Sequence, residues 1–232
     1  MISTGNDIIS LDYIDIHRTR QKQFYNKVLT NSELKLYNND DVLQMPFELF
    51  VWLAWSIKES AFKYLKRHVS DLIFSPLKMN IQSIKGPAPN TIIDIQGLPY
   101  EATSFLEQIS YLATIEAGPY LFHSRSIINQ ELIYTIVNQD ESFRNVWWGI
   151  KAIDAQDHKN QSAEVRSFLL KKLQEVLPYH TLSLSQNLHG CPVINDEKKE
   201  VNIPVSLTHH HGLVAYSFLR TSDYQKNQAI LM

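Results

Sequence analysis

Two stretches of this chain carry apolar residues at helical spacing, and most of its remaining apolar residues come in strand-length pieces. After Pro46, Phe47, Phe50, Val51, Ala54, Ala61 and Leu65 keep to one helical face. Val165, Phe168, Leu169, Leu173 and Val176 form a second face, in a helix read from about Ser162 and ended by Pro178. Thr30 with Glu33 is a capping-box pattern and predicts a short helix over 31–37. Strands are expected at 7–11, 77–84, 91–95, 109–115, 120–123, 132–137, 146–151, 181–185, 205–207 and 213–219, from alternation or β-branched runs. The order is strand, helices, strands, then strands, helix, strands. It predicts an α+β fold of two lobes, residues 1–145 and 146–232, each a small antiparallel sheet packed with helices.

Composition removes several classes of function. The 22 Lys and Arg against 24 Asp and Glu give a formal charge of -2, so no global basic field exists to track a nucleic-acid backbone. One cysteine, Cys191, excludes an intrachain disulfide framework and a Cys-rich metal site. No apolar run is long enough for a membrane span, and residues 1–15 lack the pattern of a signal peptide. The chain is therefore expected to be cytoplasmic, with no nucleic-acid or membrane partner.

Three segments stand out for chemistry. In Trp55-Ser-Ile-Lys58-Glu59-Ser-Ala-Phe-Lys63, a helix puts Trp52, Trp55, Glu59 and Lys63 on one side and Ala54, Ala61 and Leu65 on another. Glu59 and Lys63 have the spacing of an ordinary surface ion pair, worth roughly 0.3–0.5 kcal/mol. Two tryptophans beside the carboxylate favour instead a cleft in which its charge needs a ligand or metal. Asp7, in Gly5-Asn6-Asp7 before the first strand, reads by itself as a turn residue. His209-His210-His211 follow Ser206-Leu207-Thr208; neighbours on a strand point to opposite faces, so the three cannot easily share one ion, and a polar strand end is the simpler account.

Taken together, these segments resemble the 4′-phosphopantetheinyl transferases. The resemblance rests on Gly5-x-Asp7, Lys27-Val-Leu-Thr30-x-x-Glu33 and Trp55-x-x-Lys58-Glu59-x-x-x-Lys63, then Arg166-Ser167-Phe168-Leu169-Leu170, Gly190-x-Pro192 and Ser206-Leu207-Thr208-His209. It covers about residues 5–80 and 160–220. In the two-lobed members of the family the Arg…Gly-x-Pro…Ser-His half comes first; here the Asp…Lys-Glu half leads, as in a permuted or tandem form. One chain then supplies both walls of a cleft, and a monomer suffices.

The resemblance implies transfer of 4′-phosphopantetheine from coenzyme A to a serine of an apo acyl or peptidyl carrier protein, with Mg²⁺, releasing adenosine 3′,5′-bisphosphate. Asp7 and Glu59 are the implied metal carboxylates, and Glu59 and Lys63 the catalytic pair. Arg166, Ser167, Thr208 and His209 are the implied coenzyme A contacts, with Arg166 and Ser167 placed at a helix start; an ion pair is the structural alternative for Arg166. Lys58 reads as the weaker candidate, turned away from Glu59. Three departures matter: Cys191 stands where the family has Lys, Asn6 where it has an aliphatic residue, and Ile9 where many two-lobed members carry a further carboxylate. Arg18, Arg20, Lys22 and Lys27 are candidates for docking an acidic carrier, or else a solvated helix face. The alternatives are a non-catalytic homologue that binds coenzyme A or a carrier protein and, more remotely, a Zn²⁺ hydrolase built on the histidines.

Overall fold

The computed structural model describes residues 2–38, 44–87, 97–105, 107–155, 157–179 and 181–220. Strand β1 (Gly5–Ser10) is followed by three short helices, α1 (Ile16–Thr19), α2 (Lys22–Tyr25) and α3 (Asn31–Leu36), and by the long helix α4 (Phe47–Lys66). Strands β2 (Met79–Lys85), β3 (Tyr100–Thr103), β4 (Tyr111–Ala117), β5 (Tyr120–Ile128) and β6 (Leu132–Asn138) come next. The second half runs β7 (Val146–Ala152), α5 (His158–Val176), β8 (Leu182–Gln186), β9 (Pro192–Asp196), β10 (Lys199–Val201), β11 (Val205–His210) and β12 (Leu213–Leu219).

The strands form three antiparallel sheets, in the orders β1-β6-β5-β4-β2, β11-β12-β7-β3 and β10-β9-β8. Each half joins its first strand to its last and its last to the one before, as β1-β6-β5 and β7-β12-β11. This is the α+β architecture with small antiparallel sheets and few helices that the pattern predicts. The second sheet draws one strand, β3, from residues 1–145, through the pairing of Tyr100–Thr103 with Trp147–Ile150.

Helix α4 crosses β1 and β6, burying Phe50, Val51, Ala54, Ile57, Ala61 and Leu65 in a core shared with Ile9, Ile81, Ile115 and Ile133. Ile8, on the other face of β1, joins a second core with Tyr134, Trp148 and Ala215 between the two larger sheets. A third core sits under α5, where Leu169 and Leu173 meet Ile194, Val205 and Phe218.

Glycine is required at position 5 by the approach of α4. A Cβ there would lie 1.9 Å from the Ser60 carbonyl oxygen and 2.8 Å from the Tyr64 nitrogen, both backbone atoms. Gly5→Ala is expected to push α4 off β1 at a cost of about 1–3 kcal/mol, the range for overpacking, measured as a lower urea midpoint.

Where pattern and structure differ, the reasons are local. Helix α5 begins at His158, capped by Asp157 whose carboxylate accepts from Asn160 N, a full turn before Ser162. Pro76 opens a 3₁₀ turn over Pro76–Lys78, so β2 starts at Met79. The capping box is present, with Thr30 Oγ1 accepting from Glu33 N and Glu33 Oε2 from Thr30 N. The strand expected at 91–95 lies outside the described residues.

Candidate active site

The two halves meet along β1 and β11, which run side by side in the same direction. β1 is bonded to β6 on one edge, and the exposed row of N–H groups on its other edge would need partners. β11 supplies them from side chains: Asn6 N donates to Ser206 Oγ (3.1 Å), Ile8 N to Thr208 Oγ1 (3.3 Å) and Ser10 N to His210 Nδ1 (2.9 Å). Strand alternation assigns the even residues of β11 to this seam. The odd ones, Val205, Leu207 and His209, turn toward α5.

At the seam Asp7 meets α4. Lys63 Nζ donates to Asp7 Oδ1 (3.1 Å) and to the Asn6 carbonyl (3.0 Å), and lies 3.2 Å from Glu59 Oε1. Trp55 Nε1 holds the other Glu59 oxygen, Oε2, at 2.8 Å. Thr208 Oγ1 also donates to Asp7 Oδ1, at 3.1 Å. The Ser56 hydroxyl nearby favours the Asp7 charge, yet neither Asp7 Oδ2 nor Ser56 Oγ, both buried, makes a well-formed hydrogen bond.

Burial dominates the electrostatics of Asp7. Loss of water, opposed by Lys63 and reinforced by Glu59, pushes its carboxyl up to about 6. Burial works against the Lys63 ammonium too, but Asp7 and Glu59 outweigh it and hold Lys63 above its ordinary value. An unpaired buried oxygen on a carboxylate, with a second carboxylate joined to it through one lysine, suits a hard cation, which takes carboxylate, water and phosphate oxygens. Mg²⁺ ordinarily takes one or two protein carboxylates, with phosphate oxygens and waters completing its shell. Among the described residues no group of three or more His, Cys, Asp or Glu side chains gathers as a metal site.

Beside Lys63 opens a cavity of about 390 Å³ between the end of α4, helix α5 and strand β11. Lys63, Lys66, Arg67 and Arg166 line it, with His158, His189 and His209, and no carboxylate is among its lining residues. Arg67 is anchored across the halves, donating to the carbonyls of Pro192 and Val205. Arg166 Nε donates weakly to Ser162 Oγ (3.4 Å). His209 Nδ1 is 2.9 Å from Gln161 Oε1, and Gln161 Nε2 donates to the Ala155 carbonyl, which orients the amide so that Nδ1–H of His209 donates. Such a cavity fits a ligand with several phosphates.

The structure brings Asp7, Glu59 and Lys63 together, and Lys63, Arg166 and His209 around one cavity. It corrects two placements. Arg166 sits more than two turns inside α5, so the helix N-terminus does not add to it, and Ser167 is exposed and absent from the cavity wall; Ser162, a turn earlier, lines it instead. Thr208 is buried on the seam face of β11. The three histidines part company: His209 bonds Gln161, His210 accepts from β1, and His211 stacks on Tyr13 with ring centroids 4.1 Å apart. Lys66, Arg67, His158 and Ser162 were not singled out by spacing. Their signal lay only in the fold, which brings the end of one helix against the start of another.

Two groups at the seam titrate in opposite senses. Asp7, raised from 3.8 to about 6, holds its proton more tightly folded than unfolded, so its contribution is complete below about pH 4 and is lost as pH rises through 6. His210, pushed down to about 4 by burial and then by His211, stays neutral when folded, so its contribution is present above 6.5 and is lost as pH falls toward 4. Metal-free Asp7→Asn protein is expected to be about 1–2 kcal/mol more stable than wild type at pH 8 and equal to it near pH 4. Urea unfolding at the two pH values checks this, and equal stability at pH 8 would contradict it.

Fold and site thus define an α+β protein whose two halves enclose a cation-lined cavity ending at a carboxylate–lysine–carboxylate cluster. Residues 3–115, the segment that carries Asp7, Glu59 and Lys63, match the family model of the 4′-phosphopantetheinyl transferase superfamily. No curated protein and no solved structure matches the chain. Among the described residues, no helix is long and apolar enough to cross a membrane.

Proposed function

We infer that the chain transfers 4′-phosphopantetheine from coenzyme A to a serine of an apo carrier protein in a Mg²⁺-dependent reaction. The observation that carries this reading is the junction of the two features above, since Lys63 belongs both to the acidic cluster and to the wall of the basic cavity. Asp7 and Glu59 are the residues that would hold Mg²⁺. When bound, the ion supplies neutralising charge for a pyrophosphate and for the anion that leaves it.

The chain's own residues do the rest. Lys66, Arg67, Arg166 and His209 hold the phosphates of coenzyme A in the cavity, directing its pyrophosphate toward Lys63. Lys63, kept charged by its two carboxylates, stabilises the departing phosphate. Trp55 fixes Glu59 Oε2, leaving Oε1 to accept the proton of the carrier serine. The serine oxygen bonds the phosphorus that carries the pantetheine arm, the phosphoanhydride bond breaks, and adenosine 3′,5′-bisphosphate departs with the electron pair. Cys191, buried in the cavity wall, brings no charge there, while Arg67 reaches the carbonyl of the next residue, Pro192.

For the carrier, Arg18, Lys22 and Lys27 are exposed on and just after α1 and α2, whereas Arg20 already forks onto Glu48 at 3.0 and 3.1 Å. An acidic carrier would approach this surface. Intact-mass spectrometry of apo carriers incubated with the protein, coenzyme A and Mg²⁺ tests the reading. A phosphopantetheine increment on the serine supports it. Coenzyme A binding with no increment on fatty-acid, polyketide or peptide-synthetase carriers would favour the non-catalytic homologue.

A further inference from the structure

We propose that Thr208 is a positioning residue for Asp7, setting which of its oxygens faces a metal ion, rather than a contact to coenzyme A. The inference rests on the metal reading of Asp7 above. Thr208 and His209 are neighbours on one strand, so their side chains leave it on opposite faces. His209 takes the cavity side, where it is part of the wall, and Thr208 takes the seam, where it is 5% exposed and absent from that wall.

On the seam the Thr208 hydroxyl is used twice. Its oxygen accepts the Ile8 N–H at 3.3 Å, and its proton goes to Asp7 Oδ1 at 3.1 Å. The first bond fixes the hydroxyl relative to the β1 backbone, and the second fixes the carboxylate relative to the hydroxyl. Lys63 donates to the same Oδ1, so both partners of Asp7 converge on one oxygen and leave Oδ2 without any. A hydroxyl with only one use would satisfy the edge of β1 without choosing an orientation for Asp7. Ser206, two residues earlier, is in that position, accepting from Asn6 N with no bond to the carboxylate. Groups that orient a metal ligand in this way typically govern metal affinity by roughly 10–100-fold.

The test compares Thr208→Val, Thr208→Ser, Ser206→Ala and Asp7→Asn by electron paramagnetic resonance titration of Mn²⁺ into protein saturated with coenzyme A. Thr208→Val is expected to weaken Mn²⁺ by about tenfold and Thr208→Ser to restore it. Ser206→Ala, which removes the equivalent seam bond, leaves Mn²⁺ affinity as in wild type. The dissociation constant of coenzyme A, measured without metal, does not move in Thr208→Val. If Thr208→Val does not fold, Thr208→Ala, which adds no bulk, takes its place with the same expectation. Wild-type Mn²⁺ affinity in the folded Val or Ala variant, or a weakened coenzyme A complex in it, overturns the positioning role. Equal loss of Mn²⁺ affinity in Ser206→Ala overturns it too, because seam strength alone would then explain the effect. Unchanged Mn²⁺ affinity in Asp7→Asn removes the metal reading itself.

Discussion

Glu59→Gln is expected to abolish the proposed transfer, lowering kcat at least a thousandfold at saturating Mg²⁺ and coenzyme A, while the protein stays folded. Glutamine keeps the shape of the side chain and an oxygen for Trp55 Nε1, which now lies 2.8 Å from Glu59 Oε2. It removes the charge shared with Lys63 and the oxygen to which the proposed mechanism assigns the serine proton. Loss of a group that acts both on the metal and as the base combines two effects that are individually worth about two to four orders of magnitude. The substitution relieves a crowded site, since Asp7 feels Glu59 as a like charge that pushes its carboxyl upward. Stability is therefore expected to hold even as turnover is lost, a common signature of charge gathered for function. Coenzyme A affinity changes little, because the cavity wall keeps Lys66, Arg67 and Arg166. A stopped assay for adenosine 3′,5′-bisphosphate, with circular dichroism on the same sample, reads both outcomes. Turnover within tenfold of wild type would remove Glu59 from the mechanism.

The second large effect lies one residue away and concerns the fold. Lys58 is adjacent to Glu59 but points into the core, fully buried with Glu33. Its ammonium donates to Glu33 Oε2 at 2.7 Å and to the Val28 carbonyl at 2.6 Å. Glu33 in turn accepts from Ile81 N and Thr30 N, both within 2.8 Å. One buried pair thus joins α4, the loop before α3, and β2. Burial lowers the Lys58 pKa, with Glu33 opposing the shift. Lys58→Met leaves a carboxylate sealed in the core without its counter-charge, which costs about 3–5 kcal/mol. For a chain of this size that is a fall of roughly 10 °C in Tm, readable by calorimetry. Adding Glu33→Leu recovers part of the loss, because removing the second charge costs less once the first has gone. At a temperature where Lys58→Met is folded, its kcat stays near wild type. A stable variant with lost turnover would make Lys58 catalytic and not structural.

Much of this was legible before any coordinates. Glu59 and Lys63 fall on a helix with a strong six-residue apolar face, whereas Asp7, read as a turn residue at the start of a β-branched run, lies inside β1. Thr30 and Glu33 announced their cap. The opposite orientations of His209 and His210 followed from strand alternation alone. What stayed hidden has physical causes. The first two turns of α5, from His158 to Glu164, carry no apolar period, so the helix seemed to start too late and Arg166 seemed to stand at its end. β3 and β10 are four and three residues long, with little apolar alternation to reveal them, and β9 opens on Pro192. No local pattern announces that β11 runs against the open edge of β1, because that meeting depends on how two sheets pack. Thr208 could therefore be found by its position in a motif, but not by what it touches.

The family resemblance and the geometry converge on the first half most firmly, since residues 3–115 match the superfamily and hold the carboxylate–lysine–carboxylate cluster. The second half adds the basic wall through Arg166, His209 and the carbonyls that anchor Arg67.

An anomalous difference map from crystals grown with coenzyme A and Mn²⁺ puts the shared-cation account to its most direct trial. A single peak bonded to both Asp7 Oδ2 and Glu59, with the coenzyme A pyrophosphate at the same ion, is the predicted result. Coenzyme A lying elsewhere, with Asp7 and Glu59 still joined only through Lys63 and no manganese between them, would contradict it.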